Sequence, residues 1–199
     1  MPRSSRFIYN FGIEHVMNSI TGRLVENRIV VWSIEESRAL FGNGYYGKPL
    51  GVPKPKGTQF DTPLILDLIE GCYLVHIGKL KVFNIQGKKI SFRDIQAICR
   101  REYSDFDIKY LVFQSLRDNG YIVSPGIKFG CDFAVYEHGP GIDHAPYLVQ
   151  VLKPTDHMTA TGIVLAGRLA TTVRKQFILA IPKTRGKRVD FVSFDWWRA

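Results

Sequence analysis

Apolar residues alternate along Phe129, Cys131, Phe133 and Val135, which predicts a half-buried strand over 128–135. Tyr136 at its end falls on the other face, with Asp132 and Ala134. Gly139-Pro140-Gly141 forces a turn, and the chain becomes strand-like again over Tyr147–Leu152, so Tyr136 and His144 flank one loop. From Thr159 to Lys175 the spacing becomes helical: Ile163, Ala166, Ala170 and Val173 gather on one side, and Arg168 and Lys175, seven residues apart, on the opposite one. Strands over Phe177–Ile181 and Val189–Phe194 follow.

Upstream, Arg23-Leu24-Val25 and Arg28–Trp32 bracket Glu26-Asn27 as a hairpin. Ser33 and Glu36 form a capping-box pattern for a helix from Ile34 to Phe41, ended by Gly42 and Gly44. The glycines and prolines of Gly44–Gly57 oppose regular structure. Asp61 or Thr62 is then expected to cap a helix with Pro63 in its first turn and Leu64, Leu68, Cys72 and Val75 on its apolar face, stopped at Gly78. Short strands over Leu80–Ile85 and Lys88–Ile90 precede a helix opened by Ser91, and a second helix carries Phe106, Tyr110, Phe113 and Leu116 until Gly120. The fold class is α/β (α+β): an arm over 1–21, a small mixed α/β domain over 22–102, and a nuclease-like domain over 103–199 with a central mixed sheet flanked by helices.

A hydrophobic content of 45% excludes a disordered chain, and a net charge of +9 favours an anionic partner, of which nucleic acid is the commonest for a basic domain. Between His157 and Val189 there is no Asp or Glu, while Arg168, Arg174, Lys175, Lys183, Arg185, Lys187 and Arg188 crowd the segment. In the Gly44–Gly57 loop, Lys48, Lys54 and Lys56 with Tyr45 and Tyr46 have the make-up of a nucleic-acid-touching loop. Three widely spaced cysteines, Cys72, Cys99 and Cys131, without a CxxC, suit a reducing cytoplasm and argue against a disulfide framework or zinc site. No apolar run is long enough to span a membrane, and the first residues lack a signal core.

Cleaving RNA without a metal requires a base for the 2′-hydroxyl, an acid for the departing 5′-oxygen and a cation for the phosphorane charge. Tyr136, His144 and Lys175 supply those types. Histidine is the natural acid near neutrality, and a nearby lysine favours an ionised or relaying tyrosine. Each residue also has a plain structural role, the lysine as a helix-end cation above all.

The run Tyr110–Arg117, Gly120–Val123, Gly126–Gly130, Asp132–Tyr136, Gly139–Gly141, His144, Tyr147–Val149 and Val173–Lys175 resembles the catalytic domain of archaeal and eukaryotic tRNA-intron splicing endonucleases. The spacings agree, eight from Tyr136 to His144 and thirty-one from His144 to Lys175. Pro63–Leu66 and Tyr73-Leu74 resemble the family's amino-terminal domain more loosely. The resemblance implies an endoribonuclease that cuts precursor tRNA of bulge-helix-bulge type at intron boundaries, needs no metal or other cofactor, and leaves 2′,3′-cyclic phosphate and 5′-hydroxyl ends. Tyr136 would be base, His144 acid and Lys175 stabiliser of the transition state. The family clamps a bulged base between two arginines; Arg168 matches one, and Arg198 is the first candidate for the other, with Arg185 or Arg188 as alternatives. One departure is the loop Pro182–Arg188, which carries no acid where the family has an acidic docking loop. This implies a heterotetramer, archaeal in type, in which a homologous structural subunit brings that loop. Two other readings stand beside it: a non-catalytic RNA-binding subunit, and a metal-dependent nuclease using Asp107 and Lys109.

Overall fold

The computed structural model describes residues 20–53, 55, 57–142, 145–183 and 188–194. Two mixed sheets carry the helices. In the first, β1 (Thr21–Val25) and β2 (Arg28–Val31) form the expected antiparallel hairpin, turning at Glu26 in the left-handed region (φ 51°). Ser33 caps α1 (Ile34–Gly42) by accepting from Glu36 N, but the Glu36 carboxylate reaches Thr21 N instead of closing a capping box. The sheet is completed by β3 (Lys48–Pro49), β4 (Leu64–Asp67), β5 (Lys81–Phe83) and β6 (Lys89–Ile90), in the order β3-β4-β2-β1-β5-β6.

Two expectations fail in this region. Lys48-Pro49 pairs with Ile65 and Leu64, so the Gly44–Gly57 loop does contain a strand. Residues 64–67 do not begin a helix; they form β4, with Leu64 and Leu66 buried and Ile65 and Asp67 half-buried. The alternation of period two wins because β2 and β3 flank this segment on both edges. The helix α2 (Leu68–His76) starts afterwards, capped by Asp67 in a full capping box with Glu70. Helix α3 (Phe92–Glu102) has its own box from Ser91 and Asp94, and α4 (Phe106–Asp118) buries Phe106, Tyr110, Phe113 and Leu116 as the spacing predicted.

The second sheet runs β11-β10-β9-β8-β7, from β7 (Ile122–Pro125), β8 (Phe133–Tyr136), β9 (Tyr147–Val151), β10 (Gln176–Pro182) and β11 (Val189–Ser193). Only β9 and β10 are parallel, joined by α5 (Ala160–Thr172), whose Gly167 and Ala170 are buried while Val173 beyond it is exposed. The expected strand over 128–135 is shorter than predicted. Ile127–Phe129 is a 3₁₀ turn ended by left-handed Gly130 (φ 68°), and pairing begins at Phe133.

One hydrophobic cluster runs through both sheets, from Ile29, Leu66 and Leu74 through Tyr110 and Phe113 of α4 to Val123, Phe133 and Val149. A smaller cluster, Ala134, Ala145, Leu148, Ala170, Phe177 and Leu179, fills the space between the second sheet and α5. Arg117 joins the two sheets from α4. Its guanidinium donates to Gly44 O (2.7 Å) and Val123 O (3.0 Å) and lies 4.1 Å from the centre of the Tyr46 ring. Among the described residues no helix is long and apolar enough to cross a membrane.

Candidate active site

Strand register brings Tyr136 and Lys175 to one end of the second sheet. Val135 faces Tyr147 across β8 and β9, and Tyr147 faces Gln176 across β9 and β10, so residues just beyond these pairs stand together. Side chains alternate along each strand. Tyr136 therefore shares the face of Ala134, and Lys175 continues the parity of Phe177 and Leu179; Ala134, Phe177 and Leu179 belong to the smaller cluster and Tyr136 packs against it. Half-buried, Tyr136 leans on that cluster.

Lys175 is not on the helix. The last turn of α5 ends at Thr172, Arg174 takes the left-handed conformation (φ 55°), and Lys175 N returns to Ala170 O (2.8 Å), a Schellman-type closure. The seven-residue alignment of Arg168 with Lys175 along one helix face is thus broken, because the chain reverses between them. The reversal aims the lysine back at the sheet. Its Nζ donates to Ala145 O (2.6 Å) and lies 5.2 Å from the centre of the Phe129 ring. Gln176 N bonds Pro146 O, fixing the same segment from the backbone side. Arg168 stays exposed on α5 beside Val164, Thr171 and Thr172.

His144, Arg198, Lys54, Lys56, Arg185 and the closing Trp196 and Trp197 lie outside the described residues. Lys48 is exposed in β3. His138, the other histidine of the loop, is exposed two residues after Tyr136. Asp132 does not share the Tyr136 face: it precedes the strand, pairs with Lys109 of α4 at 3.0 Å and accepts from Val151 N. Asp107 is bound by Arg100 through both Nε and Nη2, so Asp107 and Lys109 point to different partners on opposite sides of a helix. Among the described residues no three His, Cys, Asp or Glu side chains gather as a metal site.

The sequence carries no signal that Ala145 O and the Phe129 ring would meet Lys175, since a backbone acceptor and a ring face have no residue-type signature. Arg117 did carry a signal. It stands four residues after Phe113, on the buried face of α4, where an arginine needs buried partners.

Residues 106–191 match the tRNA intron endonuclease catalytic C-terminal domain, and residues 20–96 match the tRNA intron endonuclease N-terminal domain. The chain belongs to the tRNA intron endonuclease family. Among its relatives, a tRNA-splicing endonuclease of Hyperthermus butylicus is 44% identical over 85% of this chain and 93% of its own. That of Sulfurisphaera tokodaii is 41% identical over 88% and 97%, and that of Saccharolobus solfataricus 37% over 87% and 96%. The similarity to the family's tRNA-splicing endonucleases thus spans both sheets, including the segment that holds Tyr136, Ala145 and Lys175.

Proposed function

We propose that this chain is the catalytic subunit of a cytoplasmic endonuclease that cuts precursor tRNA at intron boundaries. The observation that carries the reading is the convergence of Tyr136 and Lys175 on one end and one face of the second sheet, with Lys175 bound to the residue that follows His144. In this scheme Tyr136 takes the 2′-hydroxyl proton, the freed oxygen attacks the adjacent phosphorus, and His144 protonates the departing 5′-oxygen. Lys175 balances the charge on the phosphorane. The products are a 2′,3′-cyclic phosphate and a 5′-hydroxyl. Arg168 stacks on an unpaired base of the bulge, opposed by Arg198, or by Arg185 or Arg188. Lys48, Lys54 and Lys56 contact the RNA backbone.

All three reacting groups are side chains. Cleavage of labelled precursor tRNA is therefore expected to persist in EDTA with cyclic phosphate ends, and abolition by chelation with rescue by magnesium would transfer the chemistry to Asp107 and a metal.

Charge supports a heteromeric assembly. The loop after β10 closes through Lys183 N and Arg188 O, and Lys183 pairs with Asp190 at 2.9 Å, both half exposed. Such a pair contributes at most about 1 kcal/mol, and it leaves Arg185, Lys187 and Arg188 without an acid inside the loop. Two copies meeting there would juxtapose like charges, which a homologous subunit with an acidic loop would relieve. The second contact is β11, an edge strand with Phe191 and Val192 about 40% exposed. The purified chain is expected to be inactive alone and to gain activity at an equimolar ratio with such a subunit, as a heterotetramer. Full activity from this single polypeptide, with mass spectrometry finding no other, would refute that part.

A further inference from the structure

The Gly44–Gly57 loop of the first sheet touches the turn that follows Tyr136 in the second. Its base is fixed on three sides. Arg117 holds Gly44 O, the Glu70 carboxylate accepts from Gly47 N (3.0 Å), and Lys48-Pro49 pairs with β4. Between those anchors Tyr45 adopts a left-handed backbone (φ 54°), which a tyrosine takes up only where its surroundings enforce it. Tyr46 turns inward, over Arg117. Tyr45 turns the other way, meets Phe41 edge-on at 5.2 Å, and lays its ring against Gly139.

That contact leaves no room for a side chain. A Cβ at Gly139, itself at φ 127°, would lie 2.5 to 2.8 Å from Cε2, Cδ2 and Cζ of Tyr45. Two residues on, the Pro55 carbonyl oxygen lies 3.8 Å from the Cβ position of Gly141. The turn is closed by Ile142 N donating to Gly139 O (3.0 Å), and three positions further along the sequence stands Ala145, the acceptor for Lys175. Gly139 is buried, whereas His138 before it is exposed.

We infer that Tyr45 is a positioning residue for the reaction: its ring sets the Gly139–Ile142 turn and thereby the spacing of the groups on either side of it. The inference rests on the assignment of Tyr136, His144 and Lys175 given above. Ring carbons make the contact, so the hydroxyl is dispensable. A misplacement of about 1 Å in a reacting group can cost around 10²-fold in rate.

Steady-state cleavage of precursor tRNA by the full active assembly tests this. Tyr45→Ala should lower kcat at least tenfold with KM within twofold, and Tyr45→Phe should restore the wild-type rate. In a His144→Ala background, Tyr45→Ala should cost several-fold less than in the wild type, because one of the groups that the turn spaces is gone. Thermal denaturation of each variant checks the fold, and Tyr45→Leu, which keeps volume against Phe41 without a flat ring on Gly139, should show the same kcat loss if Tyr45→Ala does not fold. A Tyr45→Ala enzyme with wild-type kcat, a defect in KM alone, or an equal loss in both backgrounds overturns the inference. If His144→Ala and Lys175→Ala are themselves fully active, the site assignment fails instead.

Discussion

His144→Ala is expected to slow cleavage of precursor tRNA by roughly 10² to 10⁴-fold while leaving RNA affinity nearly unchanged, the range set by loss of a general acid. The departing 5′-oxygen is a poor leaving group until it is protonated, and imidazole is the side chain that gives up a proton near neutral pH. Chain position separates the two histidines of the loop. His138 lies two residues past the strand and is exposed, whereas His144 immediately precedes Ala145, whose carbonyl holds the Lys175 ammonium. His138→Ala is therefore expected to remain close to wild type. The reverse pattern, a crippled His138→Ala beside a mild His144→Ala, would pass the role of acid to His138 and dissolve the match of spacing on which the assignment rests.

The second large effect is on stability. Arg117→Ala should cost about 3 to 5 kcal/mol, as removal of one member of a buried charged group does. It deprives Gly44 O and Val123 O of donors and strips the cation from the Tyr46 ring. Glu70, fully buried, loses a positive neighbour as well. Burial already pushes the Glu70 carboxyl above its usual value of 4.5, with the Gly47 N–H and the Arg117 charge pulling it back. A carboxyl whose folded-state pKa is raised contributes stability below its unfolded pKa and loses it as pH rises through the folded one. Without Arg117 that pKa rises further. The deficit of Arg117→Ala should thus be smallest near pH 4.5 and grow toward neutral pH, measured by denaturant unfolding against wild type. A deficit that is flat with pH would mean that Glu70 does not feel Arg117.

Local signals carried most of the elements. The hairpin at Glu26-Asn27, the caps at Ser33 and Ser91, and the apolar face of α4 depend on nearest neighbours and could be read directly. The failures share a cause. Leu64–Asp67 has an apolar run compatible with helix or strand, and only the flanking β2 and β3, distant in sequence, decide it. Phe129 to Val135 alternates correctly, yet Phe129 lies in a 3₁₀ turn that left-handed Gly130 closes, and the extended run starts only at Phe133. Lys175 fell within a helical spacing whose end was marked by Arg174 in place of the usual glycine, so the reversal gave no warning. For the site, residue type and spacing singled out Tyr136 and Lys175, and the backbone acceptor at Ala145 emerged only with the strand register.

The helix α4 has Phe133 of the second sheet against its Phe113 and Tyr73 of α2 against that same ring. A chimaera that exchanged the catalytic half for that of a relative by cutting at the α3–α4 junction would thus inherit a wall shaped for another protein's N-terminal half. Its Phe113 and Arg117 positions would have to find matching partners for Tyr73, Tyr46 and Gly44 across the new joint. The natural unit of exchange is the sheet plus its side of that wall, and swaps that carry residues 44–46, 70 and 73 along with the catalytic half should be the ones that fold.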